Sequence, residues 1–255
     1  MNLAPEPTAA LPRRPMLQVA YFSVTSNEIP NLSAAVVRYQ REIGPIRIAA
    51  RTRTQLDNDP SARERFVRQA LASDALIVSL MAGSHSFPAW ESLLAALTEA
   101  RNQGRPAPYF HIQPTGANAA VLELVRDHGD GVEAGHWEEL CRYHRFGGSD
   151  NLLQMLILLG NLRFGFDDPL RPPAPLPSDG LYHPDFTDVP TREAYRARHD
   201  PAKPTIGLWF YQNFWVTGNH AHIDALIREI ERQGANVLCV FHLRFRDRML
   251  RSEEH

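Results

Sequence analysis

Short apolar runs alternate with amphipathic stretches along most of this chain. Residues 17–24, 46–51, 75–81 and 108–112 are apolar enough, and short enough, to be buried strands. Between and after them, residues 30–43, 61–73, 88–102 and 117–127 place apolar side chains at helical spacing. Regular alternation of this kind predicts a parallel sheet, because parallel neighbours can be joined only by a crossover, usually a helix. Right-handed crossovers then lead to an open parallel sheet, doubly wound and flavodoxin-like, as the expected α/β fold. Two further helices, 136–146 and 150–164, are predicted on either side of Gly147-Gly148. Ser149 or Asp150 is the expected cap of the second, and Leu152, Leu153, Leu156 and Leu159 form its apolar face.

The pattern then stops. Residues 168–204 contain nine prolines, Pro169, Pro172, Pro173, Pro175, Pro177, Pro184, Pro190, Pro201 and Pro204, which predicts an extended connection rather than a ladder. Beyond it, 205–211 and 236–243 have strand composition. Ile223, Leu226, Ile227 and Ile230 share one helical face, and Gly234 ends that helix. One strand–helix–strand unit of about 45 residues is too little for a sheet covered on both faces, so this stretch is expected to lack a core of its own. The predicted organisation is a disordered lead-in (1–15), an α/β domain with a helical pair at its carboxyl end (16–167), a proline-rich linker (168–203) and the start of a second, truncated α/β domain (204–255).

Composition narrows the function classes. The chain has 255 residues, is 44% hydrophobic and carries a net charge of −2, without the basic surplus that nucleic-acid binding needs. Arg244, Arg246, Arg248 and Arg251 interleave with acidic residues, so they read as a solvated tail. Cys141 and Cys239 sit in apolar segments and are expected to be reduced and buried, in keeping with a cytoplasmic location. No apolar run reaches the length of a membrane span, and the first fifteen residues lack the apolar core of a secretory signal.

Ligands of open α/β sheets bind beyond the carboxyl ends of the strands, which singles out two loops. Gly83-Ser84-His85-Ser86 precedes a helix and is read as a capped helix start, with Ser86 as the cap, in preference to an anion site. Ser84 and His85, with Asp74, lack the sharp elbow of a hydrolase nucleophile. In the loop from Gln212 to Asn219, Phe214 and Trp215 sit beside Asn213, Thr217 and Asn219. Aromatic faces suit a flat macrocycle and amide or hydroxyl donors suit its polar arms, while packing of Phe214 and Trp215 with Asn219 as a helix cap accounts for the same residues equally well. His220 and His222 lie two apart and point away from one another on a helix, and Cys239 and His242 are three apart on a strand, so neither pair reads as metal ligands. The acidic residues form no catalytic pair.

The run Pro204-Thr-Ile-Gly-Leu-Trp-Phe-Tyr-Gln-Asn-Phe-Trp-Val-Thr-Gly-Asn219, with His222-Ile-Asp-Ala-Leu-Ile227 and Gly234-Ala-Asn-Val237, resembles the large subunit of ATP-dependent metal chelatases. That is the family of the CobN component of cobaltochelatase and of the large (H) component of magnesium chelatase. Tyr143-His-Arg-Phe-Gly-Gly-Ser-Asp-Asn-Leu-Leu153 and Gly180-Leu-Tyr-His-Pro184 are similar to two further segments of the family. The resemblance implies insertion of a divalent metal, cobalt or magnesium, into a tetrapyrrole. ATP would be hydrolysed by AAA+ partner subunits, in keeping with the lack of a phosphate-loop motif here. It favours cobalt and a corrin precursor over magnesium and protoporphyrin, since Trp209-Phe-Tyr211 and Gly180-Leu-Tyr-His-Pro184 look closer to CobN. It places the chain as the amino-terminal part of a much longer subunit, inactive alone, and assigns Asn213, Trp215, Thr217 and Asn219 to ligand binding, with no catalytic and no metal residue. Gln212-Asn213-Phe214 departs from the basic and small pair that many members carry before the tryptophan. A stand-alone α/β module, such as a corrinoid or flavin carrier, is the reading of a different class, and a hydrolase built on Ser84 and His85 is a third.

Overall fold

A computed structural model of the chain describes residues 14–115 and 119–243. The chain divides into two compact units, residues 1–174 and 175–255. The expected lead-in lies outside the described residues up to position 13. Arg14, its last charged residue, is anchored: its guanidinium forks onto the Asp168 carboxylate, with Nη2 2.8 Å from Oδ1, and lies 4.8 Å from the centre of the Phe166 ring. The basic stretch after Leu243 also lies outside the described residues.

In the first unit the elements run β1 (Leu17–Ser23), α1 (Ile29–Glu42), β2 (Ile46–Thr52), α2 (Arg53–Asp57), α3 (Pro60–Leu71), β3 (Ala75–Leu80), α4 (Trp90–Asn102), β4 (Tyr109–Pro114), α5 (Ala119–His128), α6 (His136–Phe146) and α7 (Gly148–Phe164). The four strands are parallel in the order β2-β1-β3-β4, so the chain starts inside the sheet and reverses direction between β1 and β3. This is the α/β, doubly wound arrangement that the alternation predicts. Successive side chains of a strand serve opposite faces. Leu17, Val19 and Tyr21 of β1, with Ala75 and Ile77 of β3, pack with α1, α6 and α7. Ala20 and Phe22, with Leu76, Val78 and Leu80, pack with α3, α4 and α5.

Ten consecutive residues of α7, Asn151 to Gly160, are buried, so this helix has no solvent face over that length and is an interior element. Its start differs from expectation. Neither Ser149 nor Asp150 caps it; the chain turns from α6 into α7 through Gly147 and Gly148, at φ of 65° and 73°, a region glycine enters without a Cβ penalty. Farther along, a Cβ on Gly160 would come within 2.8 Å of the Tyr39 hydroxyl of α1, so a bare backbone at 160 permits the close approach of α1 to α7.

The amides of α7 also explain how the first prolines of the connection are held. Asn151 Oδ1 accepts from the Ala174 N–H at 3.0 Å while its Nδ2 donates to the Ala174 and Gly147 carbonyls, each at 2.8 Å. Gln154 accepts from the Arg171 N–H at 2.8 Å, and Asn161 exchanges two hydrogen bonds with the backbone of Asp168. The Tyr143 hydroxyl donates to the Arg171 carbonyl at 2.5 Å. Residues 168, 171 and 174 are thus paired at a three-residue repeat, the period a polyproline II chain presents. Side-chain amides supply the partners that proline removes from a backbone ladder.

The second unit comprises β5 (Asp179–Leu181), α8 (Arg192–Arg196), β6 (Thr205–Tyr211), α9 (Gln212–Val216), α10 (Ala221–Arg232) and β7 (Asn236–His242). Its sheet is ordered β5-β7-β6, with β6 and β7 parallel and β5 antiparallel to β7. The proline-rich stretch is therefore not wholly an extended connection: between its prolines it contributes a strand and a short helix. It also contributes core. The buried Tyr195 hydroxyl donates to the Val237 carbonyl at 3.0 Å and accepts from the Cys239 N–H at 2.9 Å, and Tyr182 joins Phe210, Ile223, Ile227, Val237 and Phe241. The expectation of a unit without a core counted only the residues after Pro204 and left out these two tyrosines. A side chain at Gly180 would come within 2.8 Å of the Phe241 ring and of Val189.

Candidate functional site

The loop after β6 is partly helical. Gln212 to Val216 form the single turn of α9, and Thr217 closes it by donating its hydroxyl to the Asn213 carbonyl at 2.7 Å. Of the four residues assigned to ligand binding, Asn213 and Asn219 are exposed, Thr217 is buried with its hydroxyl spent on that bond, and Trp215 is half-buried. The indole stacks on Phe241, with ring centres 4.5 Å apart and planes 7° from parallel, and Phe214 meets His222 edge-on at 5.1 Å. Asn219 is not the cap of α10: His220 occupies that position.

Trp215 lines a cleft of about 170 Å³ within this unit, together with Leu181, Pro184, Phe186 and Val189 and a polar end made by Tyr182, His220 and Asp224. The polar groups converge from two elements. Tyr182, just after β5, places its hydroxyl 2.7 Å from His220 Nδ1 and donates to the Asp224 carboxylate, which lies 3.2 Å from the same nitrogen through Oδ2. Burial and the neighbouring Asp224 raise the Tyr182 pKa, so the phenol keeps its proton at neutral pH. Thr187 and Asp188 also line it, so the cleft mixes apolar side chains with a comparable number of polar groups. Sequence reasoning missed Tyr182 and the pair His220/Asp224. The separation of four residues on one helix is the signal that marks the pair in the sequence.

A second cleft of about 110 Å³, beside His183, Arg198, Lys203 and Glu231, has its charges already matched. His183 lies 3.0 Å from Glu231, and Arg198 lies 2.6 Å from Asp185. Hydrogen bonds from Arg228 and Arg198 hold the Asp185 carboxyl down at about 2, while burial lowers the His183 pKa and keeps that imidazole neutral.

The first unit carries a buried polar row near the carboxyl ends of β1, β3 and β4. Tyr21 lies 2.7 Å from His144 Nε2, Ser23 donates to Glu28 at 2.7 Å, Ser79 meets Thr115 at 3.0 Å and His111 Nε2 meets Gln113 at 3.0 Å. Burial, opposed by the Gln113 bond and aided by nearby His144, lowers His111 to about 4, and its Nδ1 has no hydrogen-bond partner. The loop at Gly83 forms a three-residue turn, Ser84–Ser86. Ser86 ties it by donating to the Gly83 carbonyl and accepting from the Met81 N–H, so it fastens its own loop instead of capping α4. Both cysteines are free and buried, and burial raises each to about 12. Among the described residues no three His, Cys, Asp or Glu side chains converge to hold a metal, and no helix is long and apolar enough to cross a membrane.

A doubly wound parallel sheet followed along the chain by a smaller mixed-sheet unit with a cleft lined in part by Trp215 defines a two-unit α/β protein. Residues 141–254, from within α6 onward, match the family described as CobN/Magnesium Chelatase. The large (H) component of the magnesium chelatase of Rhodobacter capsulatus is 32% identical over 109 residues, 40% of this chain and 9% of the relative. The CobN component of the aerobic cobaltochelatase of Pseudomonas aeruginosa is 32% identical over 101 residues, 40% of this chain and 8% of the relative. The matched segment thus spans about a tenth of the length of these relatives. The catalytic subunit of cobaltochelatase from Mycobacterium tuberculosis shares the fold over 89% of this chain and 16% of its own, with a TM-score of 0.51 at 18% identity.

Proposed function

We propose that this chain serves in an ATP-dependent metal chelatase as part of the large subunit that holds the tetrapyrrole, and that Trp215 is an aromatic wall of the macrocycle site. The observation that carries the reading is the coincidence of the family match with the cleft: the segment shared with the cobalt and magnesium chelatases contains Trp215 and every other residue lining it. Asn213 and Asn219, exposed on the same loop, would meet the polar arms of the macrocycle, with Thr217 bracing the turn between them. Pockets that enclose ligands of this size run to roughly 300–1,000 Å³. The cleft is smaller and would contribute one wall, with the rest of the site coming from elsewhere in the complex. The metal is a divalent substrate, cobalt in our reading, inserted into a corrin precursor such as hydrogenobyrinic acid a,c-diamide. Magnesium insertion into protoporphyrin IX is the variant of the same chemistry, and a binding module without catalysis is the alternative of another class. ATP hydrolysis would fall to AAA+ partner subunits, and the assembly would work in the cytoplasm.

The test is titration of the chain with the corrin precursor, followed by quenching of tryptophan fluorescence, in the native sequence and in Trp215→Ala. Loss of one aromatic contact is expected to weaken binding by about 1–3 kcal/mol. Equal affinity in the two proteins would assign Trp215 to packing on Phe241 alone.

A further inference from the structure

We propose that the outer edge of β6 is a self-association surface, on which two copies of this chain pair their β6 strands antiparallel into one continuous sheet. Among the described residues β6 is an outer strand of a sheet ordered β5-β7-β6. Such a strand presents backbone N–H and C=O groups to any further strand, unless charge, proline or short length discourages pairing. The other outer strands are guarded in this way: β2 carries Arg47 and Arg51, β4 ends in Pro114, and β5 has three residues and begins with Asp179. In contrast β6, Thr205-Ile-Gly-Leu-Trp-Phe-Tyr211, has seven residues, no charge and no proline. The direction of its backbone groups follows from the ladder to β7. The Pro204 carbonyl accepts from the Asn236 N–H at 2.8 Å, so Ile206, Leu208 and Phe210 turn their backbone groups to β7, while Thr205, Gly207, Trp209 and Tyr211 turn theirs to the outer edge.

The strand is complementary to itself. With Leu208 opposite Leu208 of the second copy, the whole of β6 overlaps and all four outward-facing residues fall in hydrogen-bonded pairs; any shift shortens the overlap. In that register Trp209 lies opposite Gly207 of the second copy, Tyr211 opposite Thr205 and Phe210 opposite Ile206, so each aromatic ring meets a smaller side chain. Gly207 itself points to an occupant. A Cβ there would meet nothing within 4 Å and its φ is not positive, so packing within this chain gives no reason for glycine, whereas a glycine inside a strand often marks the close approach of another group. An aromatic side chain laid across it covers the bare backbone. Trp209 is 68% exposed, and Leu238, beside Gly207 on the same face, is 39% exposed. With about 150–250 Å² on each aromatic side chain, the exposed parts of Trp209, Tyr211, Ile206 and Leu238 offer on the order of 500 Å² per copy. The pair then buries at most about 1,000 Å², the lower limit of a specific interface, so the expected dimer is weak and reversible.

The full chain is followed by sedimentation velocity from about 1 to about 100 µM, the range in which so small an interface should pass from monomer to dimer. Gly207→Pro removes an outward N–H without taking a hydrogen bond from β7, and Trp209→Lys sets a charge on the edge. Each change acts twice in a symmetric pair and is expected to weaken the dimer by about tenfold or more. Leu122→Lys, at an exposed apolar position of α5, should leave it unchanged. Hydrogen exchange gives a second reading: the Gly207 amide gains protection as the concentration rises, while the Leu208 amide, bonded to β7, is protected throughout. Thermal melting of each variant shows whether it is folded; should Gly207→Pro fail to fold, Trp209→Lys decides. A monomer at about 100 µM, an equally strong dimer in folded Trp209→Lys, an equal loss in Leu122→Lys, or a Gly207 amide indifferent to concentration would overturn the proposal. No tetrapyrrole is present in these measurements, so they leave the fluorescence test of Trp215 to stand or fall by itself.

Discussion

Replacing Asn151 by Ala removes the clamp that holds the proline-rich strand end to the interior helix α7. Three hydrogen bonds disappear: those to the Ala174 and Gly147 carbonyls and that from the Ala174 N–H. At about 1 kcal/mol each they sum to about 3 kcal/mol. Two effects oppose the loss. Ala174 is exposed, so water can take up its freed N–H and carbonyl, and alanine is the better helix former by about 0.6 kcal/mol. A net destabilisation of about 2 kcal/mol is expected, which is roughly a 30-fold rise in the opening equilibrium. Native-state hydrogen exchange is the suitable assay, because it reads the first unit separately in a chain of two units. Amides of β3, which lie in the middle of the sheet, report the global opening of that unit. They should exchange about 30 times faster in Asn151→Ala and by an intermediate factor in Asn151→Asp, which keeps an acceptor for the Ala174 N–H and loses both donations. Less than about a threefold change in these amides would mean that the clamp contributes little and that apolar burial alone holds the segment.

Two more consequences concern the same unit. Gly160→Ala should bring little gain or a loss in the native background, because its Cβ would lie 2.8 Å from the Tyr39 hydroxyl, but a gain approaching 1 kcal/mol in a Tyr39→Phe background, where only the helix propensity remains; a double-mutant cycle in thermal melting without coupling would refute the contact. His111 is held down at about 4 in the folded state against 6.5 when unfolded, so its contribution is fully present above pH 6.5 and is lost as the pH falls towards 4, a change on the order of 3 kcal/mol. His111→Gln should flatten that part of the first unit's stability–pH profile, and a profile unchanged by the substitution would show that His111 takes up its proton without unfolding.

The chain order of strands and helices was legible because burial imposes a period. Expected and observed strands agree within two residues at each end, and β6 is the same, Thr205–Tyr211. The single turn of α2 was missed because five residues are too few to show a helical repeat. The short β5 was missed because a three-residue strand carries no alternation, and prolines nearby argued against it.

By itself the sequence determined the α/β class, the parallel connections and a resemblance resting on Tyr143 to Leu153, Gly180 to Pro184 and Pro204 to Val237, because these depend on local periodicity and on residue order. Tertiary structure alone decided which polar groups meet. Asn151 faces Ala174, Tyr182 reaches His220 and Asp224, and Tyr195 bridges Val237 and Cys239, across separations of 23 to 44 residues that no local pattern records. Trp215 could be seen in the sequence as an unusual residue in a loop, but its stacking on Phe241 and its place in a cleft follow from how β7 and α9 pack, since side chains distant in sequence become neighbours only when the apolar faces of their elements are buried together.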